Sequence, residues 1–211
     1  MSETRELYGA STGNSIRAAI ALAEAGIEFT PRCLDLRSGD QRAPEYLALN
    51  PLGKVPTFAD HSVSPALVIN QSNAIIQYAD EQAPGRLSPE RPSAQRYRVY
   101  DRFYFFVTDV IAPSHSAFFL RQTGQQDASA PLDRRALEHL LMAEAFLEGE
   151  YMAGDFFSMA DISAFTFARS VHGQIDWEKL PRMTRWLALI ETRPAVRLGL
   201  QAFESAPSLR K

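Results

Sequence analysis

Cysteine is almost absent: Cys33 is the single one among 211 residues. No intramolecular disulfide can form, and no metal site can be built on cysteine thiolates, so no metal is expected. Cys33 reads as a small buried hydrophobe, with a reactive thiol as the alternative. No sign of charge dominates either. Twenty-two Lys and Arg face 25 Asp and Glu, a formal net charge of −3. A nucleic-acid binder held by bulk charge is normally strongly basic, so nucleic acid is not an expected partner. No apolar run approaches the roughly 18 residues that span a bilayer, so no membrane partner is expected. The stretch Met1 to Glu6 is polar and lacks the apolar segment of a secretory signal. A reducing cytoplasm is the expected location.

What is present is ordinary for a globular chain: 45% apolar and 22% charged residues. At roughly 100–200 residues per domain this is one large domain or two small ones. The patterning favours two. Residues 5–82 alternate strand-like and helix-like pieces. Glu6 to Ala10 reads as a strand entering the turn Ser11-Thr12-Gly13-Asn14. A helix is predicted from Ser15 to Ala25, with Ile16, Ala19, Ile20 and Ala23 on one face and Gly26 just past its end. Ile27 to Leu36 reads as a second strand, with Pro31 marking an edge or a bulge. Strand, helix, strand in about thirty residues predicts parallel strands with a right-handed crossover. A short helix at 43–49, a hairpin of Thr57–Asp60 with Leu67–Asn70, and a helix from Gln71 to Glu81 complete a β-α-β-α-β-β-α order. Residues 83–94, with Pro84, Gly85, Pro89 and Pro92, read as a linker. Beyond it only helical patterns remain, at 95–122, 132–148, 159–172, 182–192 and 194–204.

Four local motifs narrow the choice. Asn50-Pro51-Leu52-Gly53-Lys54-Val55-Pro56 places a proline directly before a strand, where an X-Pro bond takes the cis form for only about 0.5–1 kcal/mol. Gln71-Ser72-Asn73-Ala74-Ile75-Ile76 opens a helix after a strand, where free N–H groups and the helix dipole favour an anion; Ser72 as a plain cap is the alternative. Ser158-Met159-Ala160-Asp161-Ile162 has the spacing of a capping box, with Phe157 and Ile162 set for a hydrophobic staple. Ser158 and Asp161 therefore read as structural. The fourth motif is the first turn, Tyr8 to Asn14.

Together these motifs resemble the cytosolic glutathione transferase family over essentially the whole chain. The resemblance implies an α/β thioredoxin-like N-terminal domain over residues 1–82 and an all-α helical C-terminal domain over 95–211, usually as a homodimer. It implies glutathione as co-substrate. The proline matching Pro56 is cis in the family, and Val55 would offer its backbone N–H and C=O to the cysteinyl part of glutathione as an added strand does. Ser72 and Gln71 would receive the γ-glutamyl carboxylate. Lys54 would pair with the glycyl carboxylate, Asn50 would order that loop, and Gln41 and Arg42 would approach the same end. Asp101 resembles an acid that some classes use across the dimer for the glutamyl amine; a solvated helix charge is its alternative.

The thiolate donor is open at this stage. Tyr8 occupies the strand position of tyrosine-type classes, and Ser11 is close to the serine-type position. Thr12-Gly13-Asn14 most resembles the Thr-Pro-Asn turn of the bacterial Nu class, with Gly13 replacing Pro. Ser11, Thr12 and Asn14 are also preferred helix N-caps, and Tyr8 is equally a core residue.

A free thiol is only about 3% thiolate at pH 7. Lowering its pKa by about two units requires roughly 2.7 kcal/mol. The accompanying loss of nucleophilicity is roughly tenfold, so the net gain is a few-fold. The larger part of catalysis must come from holding the electrophile in line. Aromatics at Tyr97, Tyr100, Phe103, Tyr104, Phe105, Phe106, Phe118 and Phe119 could wall such a pocket or pack a bundle, with Pro113 kinking or ending the helix. His115 is a candidate acid-base group or a surface histidine.

Three activities are compatible with the resemblance. They are attack of the glutathione thiolate on a small hydrophobic electrophile, glutathione-dependent disulfide reduction, and a non-catalytic interaction role.

Overall fold

The computed structural model describes residues 4–90 and 93–204. Pro92 of the expected linker lies outside the described residues. The chain divides into two compact units: Met1–Leu87 together with Thr192–Lys211, and Ser88–Glu191.

The first unit carries a four-stranded sheet of order β2-β1-β3-β4, from β1 (Arg5–Gly9), β2 (Thr30–Cys33), β3 (Thr57–Asp60) and β4 (Leu67–Ile69). β1 runs parallel to β2 and antiparallel to β3, and β3 runs antiparallel to β4. The predicted crossover and hairpin are both present. β2 is an edge strand, as Pro31 suggests, but it spans four residues where ten were expected. Proline has no N–H for a ladder, so the pairing around it is short.

Strand alternation separates the two faces. Leu7 and Phe58 are opposite each other and fully buried, and Phe58 packs on Tyr78 of α3 (Ser72–Gln82) at 5.2 Å between ring centroids. Tyr8 points to the other face, 6.0 Å from the Tyr46 ring of α2 (Pro44–Leu49). Helix α1 (Gly13–Glu24) packs against α3 and against the last helix, α9 (Pro194–Gln201). The α1–α9 approach is close enough that a Cβ on Gly199 would lie 2.4 Å from Ile20 Cγ1 and 2.8 Å from its backbone nitrogen. Arg193 fixes the start of α9 by a two-pronged pair to Glu24, at 2.6 and 2.8 Å.

The second unit is helical. α4 (Ala94–Phe105) continues through a π-helical segment (Phe106–Ile111) into α5 (Ala112–Gln122). Pro113 sits in the first turn of α5 and does not end the run. It lacks the N–H that Asp109 C=O would receive four residues on. His139 Nδ1 lies 3.1 Å from that carbonyl and takes the donor's place. The run Ala94–Gln122 holds an 18-residue window of mean hydropathy 1.2, sufficient to cross a membrane by length and composition alone. This differs from the sequence expectation because Thr108, Asp109 and Ser114 break the consecutive apolar run while the window average stays high.

α6 (Gln126–Met142) starts six residues earlier than predicted, because Pro131 lies inside the helix rather than before it. α7 (Met159–Ser170) is buried along most of its length. Its cap is the expected box: Asp161 accepts from Ser158 N and Oγ at 2.9 Å each. The other carboxylate oxygen accepts from Met152 N and Trp186 Nε1, also at 2.9 Å. Burial pushes this carboxyl up, opposed by those four donors. Every lone pair is directed at the fold, so the pair has a structural role. α8 (Pro181–Thr192) completes the helices.

Candidate functional site

The strand registers bring three of the four motifs to one end of the sheet. β1 ends there before the turn 10–12, β3 begins there after Pro56, and β4 ends there before Gln71. Thr57 lies opposite Tyr8, and its Oγ1 donates to Asn70 Oδ1 at 2.8 Å, tying the starts and ends of these strands together.

The loop before β3 is held from beneath. Asn50 is 1% exposed. Its Nδ2 donates to Lys54 O at 2.7 Å and Thr57 Oγ1 at 3.3 Å, and its Oδ1 accepts from Leu52 N at 3.1 Å. Tyr46 Oη donates to the same Lys54 O at 2.6 Å and lies 2.9 Å from Thr57 Oγ1. Gly53 turns the loop with φ +58°, and a Cβ there would meet Gln41 O at 2.7 Å. Val55-Pro56 is cis. Val55 is half-buried, and neither its N–H nor its C=O is hydrogen-bonded among the described residues. Lys54 is exposed.

At α3, Gln71 occupies the N-cap position but makes no side-chain cap bond, and the first turn holds no acid. Ser72, 8% exposed, is the first helical residue rather than the cap. The first intrahelical bond of α3 is Ile75 N to Gln71 O, so the N–H groups at its mouth are open to an anion. Gln71 is exposed.

The first turn is built differently. Thr12 is the N-cap of α1, accepting from Ser15 N at 3.4 Å, and the helix starts two residues before the predicted Ser15. Thr12 Oγ1 also lies 3.1 Å from Ser15 Oγ, which accepts from Ala10 N at 3.3 Å. Ser11 is exposed and Asn14 half-buried; neither side chain has a partner among the described residues. Tyr8 donates its hydroxyl to Glu6 at 2.9 Å. Glu6 also receives Arg32 at 2.8 Å, and burial, which would push it up, is outweighed by these donors. The Glu6–Tyr8 pair was legible in principle, since residues two apart share a strand face.

Arg17 escaped the sequence reading. A polar residue on an amphipathic helix is expected in solvent, yet Arg17 is 3% exposed. Its Nε donates to Gly13 O at 3.2 Å, while Nη1 has no partner among the described residues. Burial pushes its pKa down to about 10, so the guanidinium stays charged at neutral pH. Asn73 Oδ1 and Gln41 Oε1 are likewise buried without partners. These three atoms lie on segments beside the site, but Arg102 Nε and Ser163 Oγ in the second unit are orphaned likewise, so the feature is not confined to the site.

Other expected residues fall elsewhere. Asp101 is exposed on α4 and bonds Arg102 at 2.8 Å. Arg42 donates to Leu52 O at 3.3 Å. Cys33 donates weakly to Phe203 O at 3.5 Å, and burial, with Asp35 and Asp40 nearby, pushes its thiol up, which suits an inert side chain. Among the described residues no group of three His, Cys, Asp or Glu could hold a metal ion. An open cavity of about 1020 Å³ in the first unit is lined by Glu24, Phe29, Arg86, Arg193 and Leu198 and by none of the predicted site residues. A peptide added along a strand margin needs unpaired backbone more than enclosed volume.

Residues 13–82 match the family described as Glutathione S-transferase, N-terminal domain. The chain is 30% identical over 192 residues to glutathione S-transferase D7 of Drosophila melanogaster, covering 86% of this chain and 82% of that one. It is 24% identical over 198 residues to a disulfide-bond oxidoreductase of Escherichia coli, YfcG, covering 90% and 91%. A glutathione transferase of Burkholderia graminis, crystallised with two glutathione molecules per subunit, superposes with a TM-score of 0.78 at 27% identity, over 94% of this chain and 88% of that one. The fold, the motifs and these likenesses together make one assignment: the chain belongs to the glutathione transferase family.

Proposed function

We propose that the protein binds glutathione along Val55 and uses its thiolate to attack a small hydrophobic electrophile. The observation that carries the reading is the pair of unused backbone groups at Val55, lying at the same sheet end as the uncapped mouth of α3. The cysteinyl part of glutathione pairs with Val55, and its γ-glutamyl carboxylate meets Gln71, Ser72 and the open N–H groups. Lys54 takes the glycyl carboxylate, while Asn50 and Pro56 shape the loop without touching the ligand. Thr12 donates to the thiolate, with Ser11 and Asn14 beside it. Tyr8 is the weaker candidate, because its proton is already given to Glu6. Asp101, carried on an exposed face of α4, is assigned to the glutamyl amine of a partner subunit's ligand. The working form in this reading is a cytoplasmic homodimer. The exposed Tyr97, Tyr104, Phe118 and Phe119 provide apolar surface for a partner or an electrophile.

A second reading, reduction of a small disulfide by glutathione, draws on the Nu-like turn Thr12-Gly13-Asn14 and on the likeness to the Escherichia coli oxidoreductase. Because the turn has no cysteine, the mixed disulfide would form between glutathione and the substrate, not with the protein.

The test ranks both. Retention on immobilised glutathione is expected, and its absence removes both enzymatic readings. Rates toward a chloronitrobenzene and toward a small-molecule disulfide then decide between them. Removing the Thr12 hydroxyl deletes one hydrogen bond to an anion, about 1.5–3 kcal/mol. Thr12→Val should therefore raise the bound thiol's pKa by roughly 1–2 units. If Thr12→Val and Asn14→Ala leave activity intact while Tyr8→Phe abolishes it, the donor is Tyr8.

A further inference from the structure

We propose that Ser15 is a positioning residue for the thiolate: it turns the Thr12 hydroxyl proton outward, toward the ligand. The inference rests on the reading that Thr12 is the thiolate donor. It comes from counting protons in the first turn of α1.

Ser15 is fully buried. Its Oγ accepts the Ala10 N–H at 3.3 Å, and its own proton has one acceptor in reach among the described residues, Thr12 Oγ1 at 3.1 Å. If Thr12 donated to Ser15 instead, the Ser15 proton would be left buried without an acceptor, the costlier arrangement. Ser15 therefore donates. Thr12 Oγ1 then accepts twice, from Ser15 Oγ–H and from Ser15 N–H at 3.4 Å. A hydroxyl has two acceptor lone pairs and one proton. Both lone pairs are occupied by Ser15, so the proton must point away from the helix. Thr12 is half-buried, so part of the residue remains accessible to a ligand.

The consequence is preorganisation. Ala10 N–H, Ser15 Oγ–H and Thr12 Oγ1–H form a one-way chain in which each donor polarises the next. A donor already aimed at the place where charge sits needs no reorganisation when the thiol ionises. Thr12 can thus cap α1 and face a thiol at once, the two roles that the sequence left in competition.

Ser15→Ala breaks the chain while leaving Thr12 in place. The direct readouts are the pKa of the bound glutathione thiol, followed by thiolate absorbance against pH, and the affinity for S-methylglutathione, which carries no ionisable thiol. The expected result is a thiol pKa higher by roughly half to one unit, a three- to tenfold loss of thiolate stabilisation. S-methylglutathione affinity should stay within about twofold, a difference under about 0.4 kcal/mol. If Ser15→Ala leaves the thiol pKa unchanged while Thr12→Val raises it, the proposal is overturned and the Thr12 reading survives. If neither variant moves it, the Thr12 reading itself has failed. If Ser15→Ala weakens S-methylglutathione in parallel with the thiol shift, Ser15 is merely structural and the proposal is wrong.

Discussion

Asn50 offers the sharpest energetic test of how the loop before β3 is held. Asn50→Ala removes three hydrogen bonds: to Lys54 O, to Thr57 Oγ1, and from Leu52 N. Neither buried acceptor is orphaned by this change. Lys54 O keeps the Tyr46 hydroxyl at 2.6 Å, and the Thr57 hydroxyl stays engaged through its own donation to Asn70 Oδ1 at 2.8 Å. Leu52 is 61% exposed, so water replaces Asn50 at its N–H. The loss should therefore sit on the scale of net hydrogen bonds, about 1 kcal/mol each, or about 3 kcal/mol. At about 2–4 °C per kcal/mol for a chain of this size, Tm should fall by roughly 6–12 °C. Tyr46→Phe alone should cost less, about 1–2 kcal/mol, because it removes one donated bond and one hydroxyl contact. The double variant leaves the part-buried Lys54 O with no protein donor, so the losses should exceed additivity by about 1–3 kcal/mol. Differential scanning calorimetry of the four proteins closes the cycle. The Michaelis constant for glutathione should rise in step, because Lys54 and Val55 are the displaced backbone. Additive losses within about 0.5 kcal/mol, or an Asn50→Ala protein with an unchanged Tm, would refute the reasoning.

Gly199→Ala should cost about 2 kcal/mol or more, because the new methyl meets Ile20 backbone, which cannot yield as a side chain can; thermal melts and proteolysis between α8 and α9 report it. Asp60 is the acid-sensitive carboxylate. Burial would push it up, but Ser62, Tyr78 and Arg5 together hold it well below the usual range. Its folded pKa lies below the unfolded value of about 3.9, so its contribution is complete above that pH and is lost as pH falls through the folded value. Stability measured by denaturant midpoint should drop below about pH 4, and Asp60→Asn should flatten that limb. Cys33 should react with iodoacetamide more slowly than a free thiol at pH 7.5; equal rates would contradict its raised pKa.

The fold was largely legible because its signals are local. The βαβ unit follows from Ile16, Ala19, Ile20 and Ala23 between two strands, and the α7 cap follows from Ser158 and Asp161 three residues apart. The departures have identifiable causes. Pro131 is carried inside α6, and Pro113 is accommodated by a π segment and by His139, a residue 26 positions away that no window around the proline contains. The placement of α9 against α1 rests on Gly199, whose missing side chain leaves no mark in an apolar pattern.

The site was half legible. The cis-prone bond before Pro56 and the helix opening at Gln71 and Ser72 are local signals, whereas the ligand roles of Val55, Gln71 and Ser72 come from the family resemblance. Ser15 and Arg17 were hidden for opposite reasons. Ser15 reads from the sequence as the first helical residue, a position that gives no sign of its contact back to Thr12 and Ala10. Arg17 is charged, and burial of a charge without a counter-ion is against the ordinary expectation. Only the three-dimensional arrangement shows either one.

The most direct test follows backbone amides by nuclear magnetic resonance while glutathione is added to the intact protein. The account predicts that Val55 and the amides of Ser72, Asn73 and Ala74 shift together and saturate at one concentration, with the groove along Glu24, Phe29 and Leu198 unmoved. Saturating shifts confined to that other groove, or no shift at Val55 and Ser72 at millimolar glutathione, would contradict it.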